Sequence, residues 1–467
     1  MPATDQPATR RKLILVVIDG LRPDTFESAV DSGNAPALRL LAENGSYSVG
    51  ASTFPSLTPV CLSSIATGAH PDVHRIPHLV WYHRGERRLI EYGSSFSAVR
   101  AAGLGRSLRD TILNMNRLHL GRGAVTVYEA LEDAGYTTAA INMTCYRGRT
   151  RHLPTLPGVN GAAYGPKRFF YFNLFESDVT GAPLGVLGRS TGSLDGYAAA
   201  VGRWLVTRDG FDFLVYYLPD YDFASHATGH EGASAALARA DAAVGALIAA
   251  GGGPDDFLER YAVVLCSDHG HSRIEHVVRL QETFSDLRLL ARPSRTDGRD
   301  LVVTASNRAA MLYRLPGCQL GTRALAERLD EVVSVDAALF LEDGEAVVRR
   351  EREELRFAPD ANGWRTTGDV SLLRDPNGLE RVWAALANPN AGEVIVSAAH
   401  GYEFADLAGR HHRGGSHGSL LREDSEVPLL TVGVRGEPRS ITDLAPLVLG
   451  HFGVSPPAYT RPLARAA

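Results

Sequence analysis

Cysteine is scarce in this chain, with four among 467 residues. The four positions are Cys61, Cys145, Cys266 and Cys318. They lie far apart and form no CxxC pair, so they offer neither a disulfide framework nor a thiolate metal site. The sequence therefore predicts reduced thiols and a cytoplasmic protein.

Long hydrophobic runs are also few, and no stretch reaches the roughly 18 apolar residues that a membrane-spanning helix needs. The apolar run nearest the N-terminus, LILVVI at 13–18, follows two arginines and a lysine. It ends at Asp19 and has no small-residue cleavage site, so we interpret it as a buried strand rather than a signal peptide. We expect no association with a membrane.

Neither sign of charge dominates, because the formal net charge is −5 and 22% of the residues are charged. This balance gives no electrostatic basis for binding a nucleic-acid polymer. No GxGxxG motif follows the first apolar run, which argues against a dinucleotide-dependent oxidoreductase. An anionic substrate would have to be attracted locally, for example by bound metal ions.

The sequence does contain a regular alternation of short apolar runs with helical stretches. The apolar runs are continuous, which is typical of parallel strands covered on both faces. We therefore predict an α/β fold with a doubly wound, mainly parallel sheet flanked by helices, as a single domain over residues 1–467. The predicted strands are 13–18, 138–143, 212–218, 261–266, 301–304, 311–315, 394–397 and 428–433. The predicted helices are 36–44, 59–66, 124–134, 194–207, 231–250 and 442–452.

Two regions interrupt the alternation. Residues 74–123 are rich in aromatic residues, arginine and glycine, and we predict loops with one helix, as a loop-rich insertion near the active site. Residues 285–390 mix charged helices with short strands, including a hairpin around Asp343-Gly344, and we predict an inserted cap subdomain. Both regions are candidates for selecting the substrate.

Five separated fragments carry acidic, histidine or hydroxyl side chains just after apolar runs or tight glycine turns. Functional residues of parallel sheets gather beyond the carboxyl ends of the strands, so we expect these fragments to converge. Clustered aspartate and histidine side chains are typical of a metal site. The fragments contribute Asp19, Thr58, Asp222 with His226, Asp268 with His269, and His417.

Thr58 stands immediately before Pro59, at the start of a helical stretch. Threonine is a good N-cap and proline is preferred at the first helical position, so we predict that Thr58 is the N-cap. Amide groups at a helix N-terminus favour negative charge, which suits a hydroxyl that must ionise to attack a phosphoryl group. Taken alone, the pattern is more often a plain structural cap.

The candidate metal ligands are carboxylates and imidazoles without cysteine, a set that favours Zn²⁺ or a similar divalent ion. Asp222 and His226 are four residues apart, so on a helix both side chains face one way and can bind one ion. Asp268 and His269 can converge, or reach two ions, on the turn that Gly270 allows. Two ions about 3.5–4 Å apart would clamp both oxygens of an in-line displacement at phosphorus.

The fragments resemble motifs of the alkaline phosphatase superfamily, and most closely those of its nucleotide pyrophosphatase/phosphodiesterase branch. They occur in order over nearly the whole chain as IDGLRPD, FPSLTPV with ATG, DFASHATG, SDHGHS and GGSHGSL. The resemblance implies two zinc ions and a phosphothreonine intermediate that a metal-activated water hydrolyses. The implied ligands are Asp222, His226 and His417 for one ion, and Asp19, Asp268 and His269 for the other, with Thr58 bridging.

The chain departs from this branch near the nucleophile segment. The branch has an asparagine after its TGxxPxxH stretch that binds a non-bridging phosphoryl oxygen, and this chain has none there. His78, Trp81 or His83 could donate instead, and we predict His78 and Trp81 as substrate-binding residues. Arg75 replaces a usual glycine, and Cys61 stands where the branch usually has another asparagine.

Two further assignments have alternatives. His400 competes with His417 as the last ligand because each precedes a glycine, and we favour His417 because the strand after it would fix it against the sheet. Arg147, Arg149 and Arg151 lie with Lys167 in a turn-rich segment, where a solvated loop is the simpler interpretation. Contact with phosphate is the alternative, since arginine matches phosphate oxygens well.

The sequence therefore predicts a metal-dependent hydrolase of phosphodiester or pyrophosphate bonds, with two divalent ions and a small phosphoester substrate such as a nucleotide. A phosphomonoesterase or phosphonate hydrolase on the same two-metal site is the alternative, because the missing asparagine leaves the substrate class open. A non-catalytic relic of the fold is a further alternative. A sulfatase is disfavoured because the chain has no CxPxR motif.

Overall fold

The structure is a computed structural model that describes residues 11–155, 161–184, 193–290, 298–361 and 363–460. Residues 291–297 and 362 of the predicted cap at 285–390 lie outside the described residues. Two large sheets dominate the described part of the chain.

The main sheet has eight strands among the described residues, and its five central strands run parallel. The apolar run at 13–18 is buried on both sides, because successive side chains point to opposite faces. Leu15 and Val17 join the core on one face, and Val16 and Ile18 join the core on the other. In spatial order the strands are Ser46–Ala51, Glu426–Val432, Tyr261–Cys266, Lys12–Ile18, Phe213–Leu218, Thr138–Ile141, Arg168–Tyr171 and Phe175–Ser177.

Helices cover both faces of the main sheet. Leu194–Thr207 and Ser234–Ala250 pack on one face, and Thr58–Thr67, Val127–Asp133 and Leu444–His451 pack on the other. This arrangement confirms the predicted doubly wound, mainly parallel α/β fold. The other α-helices of the described residues are Pro23–Asp31, Pro36–Glu43, Pro71–His74, Phe96–Arg109, Asp220–Thr228, Pro254–Arg260, Thr322–Glu327, Gly378–Leu386 and Arg422–Ser425.

The second sheet has seven strands in the described part of the chain, each antiparallel to its neighbours. The predicted strands 301–304, 311–315 and 394–397 belong to this sheet and do not extend the main sheet. An apolar run shows that a strand is buried but not which sheet it joins. In spatial order the strands are Leu301–Ser306, Ala309–Arg314, Val394–Ala398, Val335–Glu342, Glu345–Arg350, Glu353–Asp360 and Gly363–Gly368.

Residues 74–123 are more regular than the predicted loop-rich insertion. Val80–His83 and Arg88–Glu91 form an antiparallel hairpin. Phe96–Arg109 is a helix that continues into a π-helix at Asp110–His119. The hairpin was not predicted because strands of four residues are too short to show a clear apolar period.

One helical stretch among the described residues, His230–Ala250, is long and apolar enough to cross a membrane by length and composition. Half of its most apolar 18-residue segment is nevertheless buried within the protein. Ala240, Val244 and Leu247 of this stretch belong to a core cluster of the main sheet. A core helix meets the same criterion, so the stretch is weak support for a membrane span.

Candidate metal centre and active site

Three neighbouring strands of the main sheet end at the candidate site. Asp19 directly follows the central strand, and Asp268 follows its neighbour on one side. Asp222 lies in the helix that begins just after the neighbour on the other side. Because these strands are parallel, their carboxyl ends lie at one edge of the sheet, and three carboxylates meet there.

His269 lies at the centre of one group of side chains. Its Nε2 atom is 3.3 Å from Asp19 Oδ1 and 3.3 Å from Asp268 Oδ2. Its Nδ1 atom donates to the backbone carbonyl of Gly270 at 3.0 Å. Since a carbonyl can only accept, this hydrogen bond places the proton on Nδ1 and leaves the Nε2 lone pair free for a metal ion.

His226 and His417 present their Nε2 atoms to a third carboxylate. His226 Nε2 lies 3.3 Å from Asp222 Oδ2, and His417 Nε2 lies 3.9 Å from Asp222 Oδ1. His226 Nδ1 donates to the carbonyl of Gly415 at 2.9 Å, and His417 Nδ1 donates to that of Ser56 at 2.7 Å. Both Nε2 atoms are therefore oriented as metal ligands in the same way as that of His269.

The ligand atoms form two overlapping sets, and within each set they lie within 4.8 Å of one another. One set is Asp222, His226, His271 and His417, and the other is Asp19, Asp222 and His269. The rings of His269 and His417 stack with centroids 3.6 Å apart, which places the two sets side by side. With Asp268 beside His269, the structure thus brings the six predicted aspartate and histidine ligands together.

His271 belongs to this cluster although the sequence prediction did not include it. It is fully buried, and its Nε2 atom lies 3.0 Å from Asp222 Oδ1. The SDHGHS motif contained the signal, but the resemblance assigned no role to its last histidine. The short strands Ser272–Arg273 and Gly415–Ser416 pair with each other, and their pairing brings His271 beside His417.

The electrostatics of the cluster favour a bound cation. Burial, together with Asp268 and Asp222, raises the pKa of Asp19 well above its usual value. Burial also acts to raise the pKa of Asp222, but His226 and His271 outweigh it and hold that pKa well below its usual value. Asp19 Oδ1 and Asp268 Oδ2 are buried without a hydrogen-bond partner. Buried carboxylates are costly unless they are paired or bind metal, so this donor set fits divalent ions.

Thr58 points into the cluster. Its Oγ1 atom lies 3.1 Å from His269 Nε2. The helix Thr58–Thr67 begins at Thr58 and has Leu57 as its N-cap, so the predicted cap position is wrong by one residue. Leu57 already has the extended backbone that a cap requires, and the Thr58 hydroxyl is directed at the metal ligands instead.

The ligands open into a pocket of about 440 Å³. Leu79, Met115 and Phe172 give one part of its wall an apolar character, and no described residue that lines it is a lysine or an arginine. A larger cleft of about 880 Å³, lined by Arg100 and Arg279 among others, contains none of the candidate ligands. Volume alone therefore does not identify the site.

His78 and Trp81, the predicted substrate-binding residues, do not reach this pocket. Both are completely buried and neither lines it. The amide of Val80 donates to His78 Nδ1 at 3.1 Å, and the Trp81 ring packs edge-on against His119 with centroids 5.5 Å apart. Proximity in sequence to the nucleophile segment does not reveal the direction of a side chain, which is why this prediction is wrong.

The positions of the side chains decide the two assignments that the sequence left open. His400 is exposed, whereas His417 is buried among the ligands, so the geometry favours His417. Arg147 and Arg149 form ion pairs with Glu129, and neither lines the pocket. They are therefore not placed to contact a substrate phosphate there.

Tyr217 and Asn307 line the pocket although the sequence prediction named neither. The Tyr217 hydroxyl donates to Asp19 Oδ2 and so orients that carboxylate. A tyrosine within a buried strand is usually a core residue, so no sequence pattern indicated a role for it. Asn307 lies in a turn of the second sheet, far along the chain from the nucleophile segment.

Comparison with known proteins places these features in one family. Residues 13–420 match the family model described as type I phosphodiesterase/nucleotide pyrophosphatase. The comparison with curated proteins gave no match.

Two kinds of solved structure share the fold. Phosphonoacetate hydrolase from Sinorhizobium meliloti 1021, in complex with phosphonoacetate, is 19% identical with a TM-score of 0.59, covering 95% of this chain and 96% of that chain. Murine ectonucleotide pyrophosphatase/phosphodiesterase 5 is 13% identical with a TM-score of 0.59, covering 96% of each chain. An inactive threonine-to-alanine variant of the murine protein is in complex with AMP. At these identities the structural likeness shows the fold alone.

The family match spans most of the chain, and the fold agrees with it. The resemblance to the alkaline phosphatase superfamily is thereby confirmed. This chain belongs to the type I phosphodiesterase/nucleotide pyrophosphatase family of phosphoester hydrolases.

Proposed function

We propose that this protein hydrolyses phosphodiester or pyrophosphate bonds of a small substrate through a phosphothreonine intermediate on Thr58, with two bound divalent ions. The observation that carries the proposal is the position of Thr58 Oγ1, 3.1 Å from His269 Nε2 and beside two overlapping ligand sets. A hydroxyl in this position can attack a phosphoryl group that is bound to the same ions.

The residues around Thr58 suit two separate ions. Carboxylate and imidazole donors without thiolate favour Zn²⁺. Such ions would lower the pKa of the Thr58 hydroxyl and of a water molecule, and would neutralise charge on the phosphoryl oxygens. The residues that would hold them are Asp222, His226 and His417, with His271 beside them, and Asp19, Asp268 and His269.

Thr58 is the nucleophile in this proposal. Its alkoxide attacks phosphorus, the bond to the leaving group breaks, and the phosphoryl group stays on Thr58 Oγ1. Water then attacks phosphorus, the bond between phosphorus and Thr58 Oγ1 breaks, and a proton from that water restores the hydroxyl. The N-terminus of helix Thr58–Thr67 favours the negative charge that develops there, and Tyr217 keeps Asp19 oriented.

The pocket favours a diester over a monoester. A monoester has one more negative charge, and no lysine or arginine is among the described residues that line the pocket. Leu79, Tyr92, Met115 and Phe172 offer an apolar wall to the remainder of the substrate. A nucleobase would suit such a wall, and the AMP complex of the murine relative supports a nucleotide as substrate.

A phosphonate hydrolase is the second candidate because a phosphonoacetate hydrolase shares the fold. A phosphonate that also carries a carboxylate would need a cation for that group. The same lack of lysine and arginine in the described wall of the pocket argues against it.

A substrate panel on the zinc-loaded protein separates these candidates. We expect bis-p-nitrophenyl phosphate to be cleaved with a higher kcat/KM than p-nitrophenyl phosphate, and phosphonoacetate to release no phosphate. Faster cleavage of the monoester or of phosphonoacetate would reject the diester proposal in favour of that activity.

The role of Thr58 is tested by Thr58→Ala, with Thr58→Ser as the matched variant that keeps a hydroxyl. We expect Thr58→Ala to keep about as much bound zinc as the unmodified protein but to lose turnover, while Thr58→Ser retains part of it. Full turnover in Thr58→Ala would exclude the phosphothreonine intermediate. A protein that binds no zinc and cleaves no substrate would instead be a non-catalytic relic.

A further inference from the structure

Asn307 occupies a turn that enters the active-site pocket from the second sheet. It lies between the paired strands Leu301–Ser306 and Ala309–Arg314, and it lines the same pocket as Thr58. Its backbone has φ 57°, a left-handed conformation that asparagine tolerates better than most residues. The side chain is buried, so its polar atoms need partners within the protein or in a bound ligand.

The turn that carries Asn307 is held on several sides. The amide of Phe404 donates to the Asn307 carbonyl at 2.8 Å, and the amide of Arg308 donates to the His417 carbonyl at 2.9 Å. The guanidinium of Arg308 is fully buried and contacts both carboxylate oxygens of Asp424 at 3.0 Å. These contacts fix the backbone of the turn that carries Asn307 relative to the segment that carries His417.

The orientation of the Asn307 amide follows from its neighbours. The hydroxyl of Ser306 donates to Asn307 Oδ1 at 2.9 Å, so the carbonyl end of the side chain is already occupied. The Nδ2 end lies 3.1 Å from His417 Nε2. Since His417 Nδ1 donates to the Ser56 carbonyl, His417 Nε2 carries no proton and Asn307 Nδ2 is the donor of this contact.

That contact cannot persist when His417 binds a metal ion, because the ion takes the same Nε2 lone pair. The Nδ2–H group would then be buried in the pocket without an acceptor, which is costly. Under the proposed function, a substrate phosphoryl group would lie near Thr58 and the ligand sets in this part of the pocket, and such a group would supply anionic oxygen acceptors.

We propose that Asn307 donates a hydrogen bond from Nδ2 to a non-bridging phosphoryl oxygen of the substrate and stabilises its charge during attack by Thr58. This inference rests on the proposed phosphoester hydrolase function. It assigns a donor to a chain that has no asparagine after its TGxxPxxH stretch, where the resemblance led us to expect one. The donor comes from the second sheet, so that sheet supplies a catalytic group to the site on the main sheet.

The test uses Asn307→Ala and Asn307→Asp, with Asn377→Ala as the matched control. Asn377 also has a left-handed backbone, at φ 48°, but is exposed and does not line the pocket, so its substitution reproduces the backbone strain alone. Aspartate tolerates this backbone conformation, keeps the shape of the side chain and replaces the donor by a negative charge.

Three measurements are made on the zinc-loaded proteins: bound zinc, kcat/KM for bis-p-nitrophenyl phosphate, and affinity for inorganic phosphate by calorimetry. We expect Asn307→Ala to keep its zinc, to lose kcat/KM by about 100-fold, and to bind phosphate roughly tenfold more weakly. Asn307→Asp should keep its zinc and lose more of both, because a carboxylate repels the phosphoryl group. Asn377→Ala should match the unmodified protein.

Two results would overturn the assignment. Phosphate affinity and kcat/KM within about twofold of the unmodified protein in both Asn307 variants would show that no donor had been removed. Loss of zinc from both variants would show that Asn307 only holds His417 in place. Failure of the proposed function would give a different result, because the unmodified protein would then not cleave the diester. The phosphate affinities of the variants would still test the role of Asn307.

Discussion

At the scale of single residues, His271 shows what a motif can and cannot reveal. The chain has three candidate ligands in four positions at Asp268, His269 and His271, and sequence reasoning used only the first two. The burial of His271 and its 3.0 Å contact with Asp222 come from pairing of two-residue strands, which have no recognisable pattern. His78 and Trp81 failed as predictions for a related reason, since the sequence does not fix whether a side chain faces the core or the pocket.

Substitution of His271 tests its contribution to the metal centre. We expect His271→Ala to weaken zinc binding by roughly 10- to 100-fold, because Asp222 loses the partner that orients it. Zinc affinity measured by competition with a chelator checks this, with the exposed His400→Ala as control. Equal zinc affinity in both variants would show that His271 has no part in the centre.

The pH dependence of stability can also be predicted for a single residue, His78. Burial lowers the pKa of His78 to about 4, below the ordinary value of 6.5. Between these two pH values His78 is neutral in the folded state, whereas it binds a proton in the unfolded state. The stability that this contributes is present above pH 6.5 and is lost as the pH falls towards 4. We expect His78→Asn, which keeps an acceptor for the Val80 amide, to reduce the slope of unfolding free energy in this window by about 1.4 kcal/mol per pH unit. Urea unfolding of the metal-free protein between these limits measures it, and an unchanged slope would contradict the assignment.

At the scale of elements, five of the eight main-sheet strands among the described residues were predicted, because continuous apolar runs are a strong signal. The other three were not predicted: Ser46–Ala51, Arg168–Tyr171 and Phe175–Ser177. The order of the strands explains why Asp19, Asp222 and Asp268 converge, since their strands are neighbours and parallel. The Asp343-Gly344 hairpin was also visible, because both residues must adopt positive φ and do so at 52° and 80°. Which strands form the second sheet could not be predicted from the sequence, because antiparallel pairing between distant segments leaves no local pattern.

The pair of short strands that joins His271 to His417 depends on Gly415. A Cβ atom at this position would lie 2.6 Å from His271 Nδ1, closer than real contacts allow. We expect Gly415→Ala to displace His271 and reduce bound zinc per chain. Gly450→Ala is the control, because nothing lies within 4 Å of a Cβ there and the position is helical. Metal analysis of both purified variants tests this. Equal zinc content would show that the close approach of Gly415 to His271 is not needed for zinc binding.

At the scale of the whole molecule, the metal centre joins the parts of the fold. Its ligands come from the main sheet and from the segment that carries His417, and Asn307 of the second sheet contacts His417. Without cations the centre brings together the buried carboxylates of Asp19, Asp222 and Asp268. Buried carboxylates cost stability unless they are paired or bind metal, so we expect bound cations to stabilise the protein at this place.

Removal of the metal ions should therefore change the thermal stability of the protein. Chelation is expected to lower the melting temperature, and added zinc to restore it, because binding to the folded state alone stabilises it. Asp268→Asn keeps the Oδ1 atom that accepts from the amides of Gly20 and His269 but removes a buried charge. We expect it to melt higher than the unmodified protein when both are metal-free and to gain less from zinc. An equal zinc-dependent gain in both proteins would show that Asp268 is not a ligand.

The most direct test of the central claim is to trap the covalent intermediate. The zinc-loaded protein is mixed with bis-p-nitrophenyl phosphate, quenched in acid within the first turnover, digested and analysed by mass spectrometry. We predict a nitrophenyl-phosphoryl group on the peptide that contains Thr58 and no such group in Thr58→Ala. Continued turnover with no modification at Thr58, or with the modification on another residue, would contradict it.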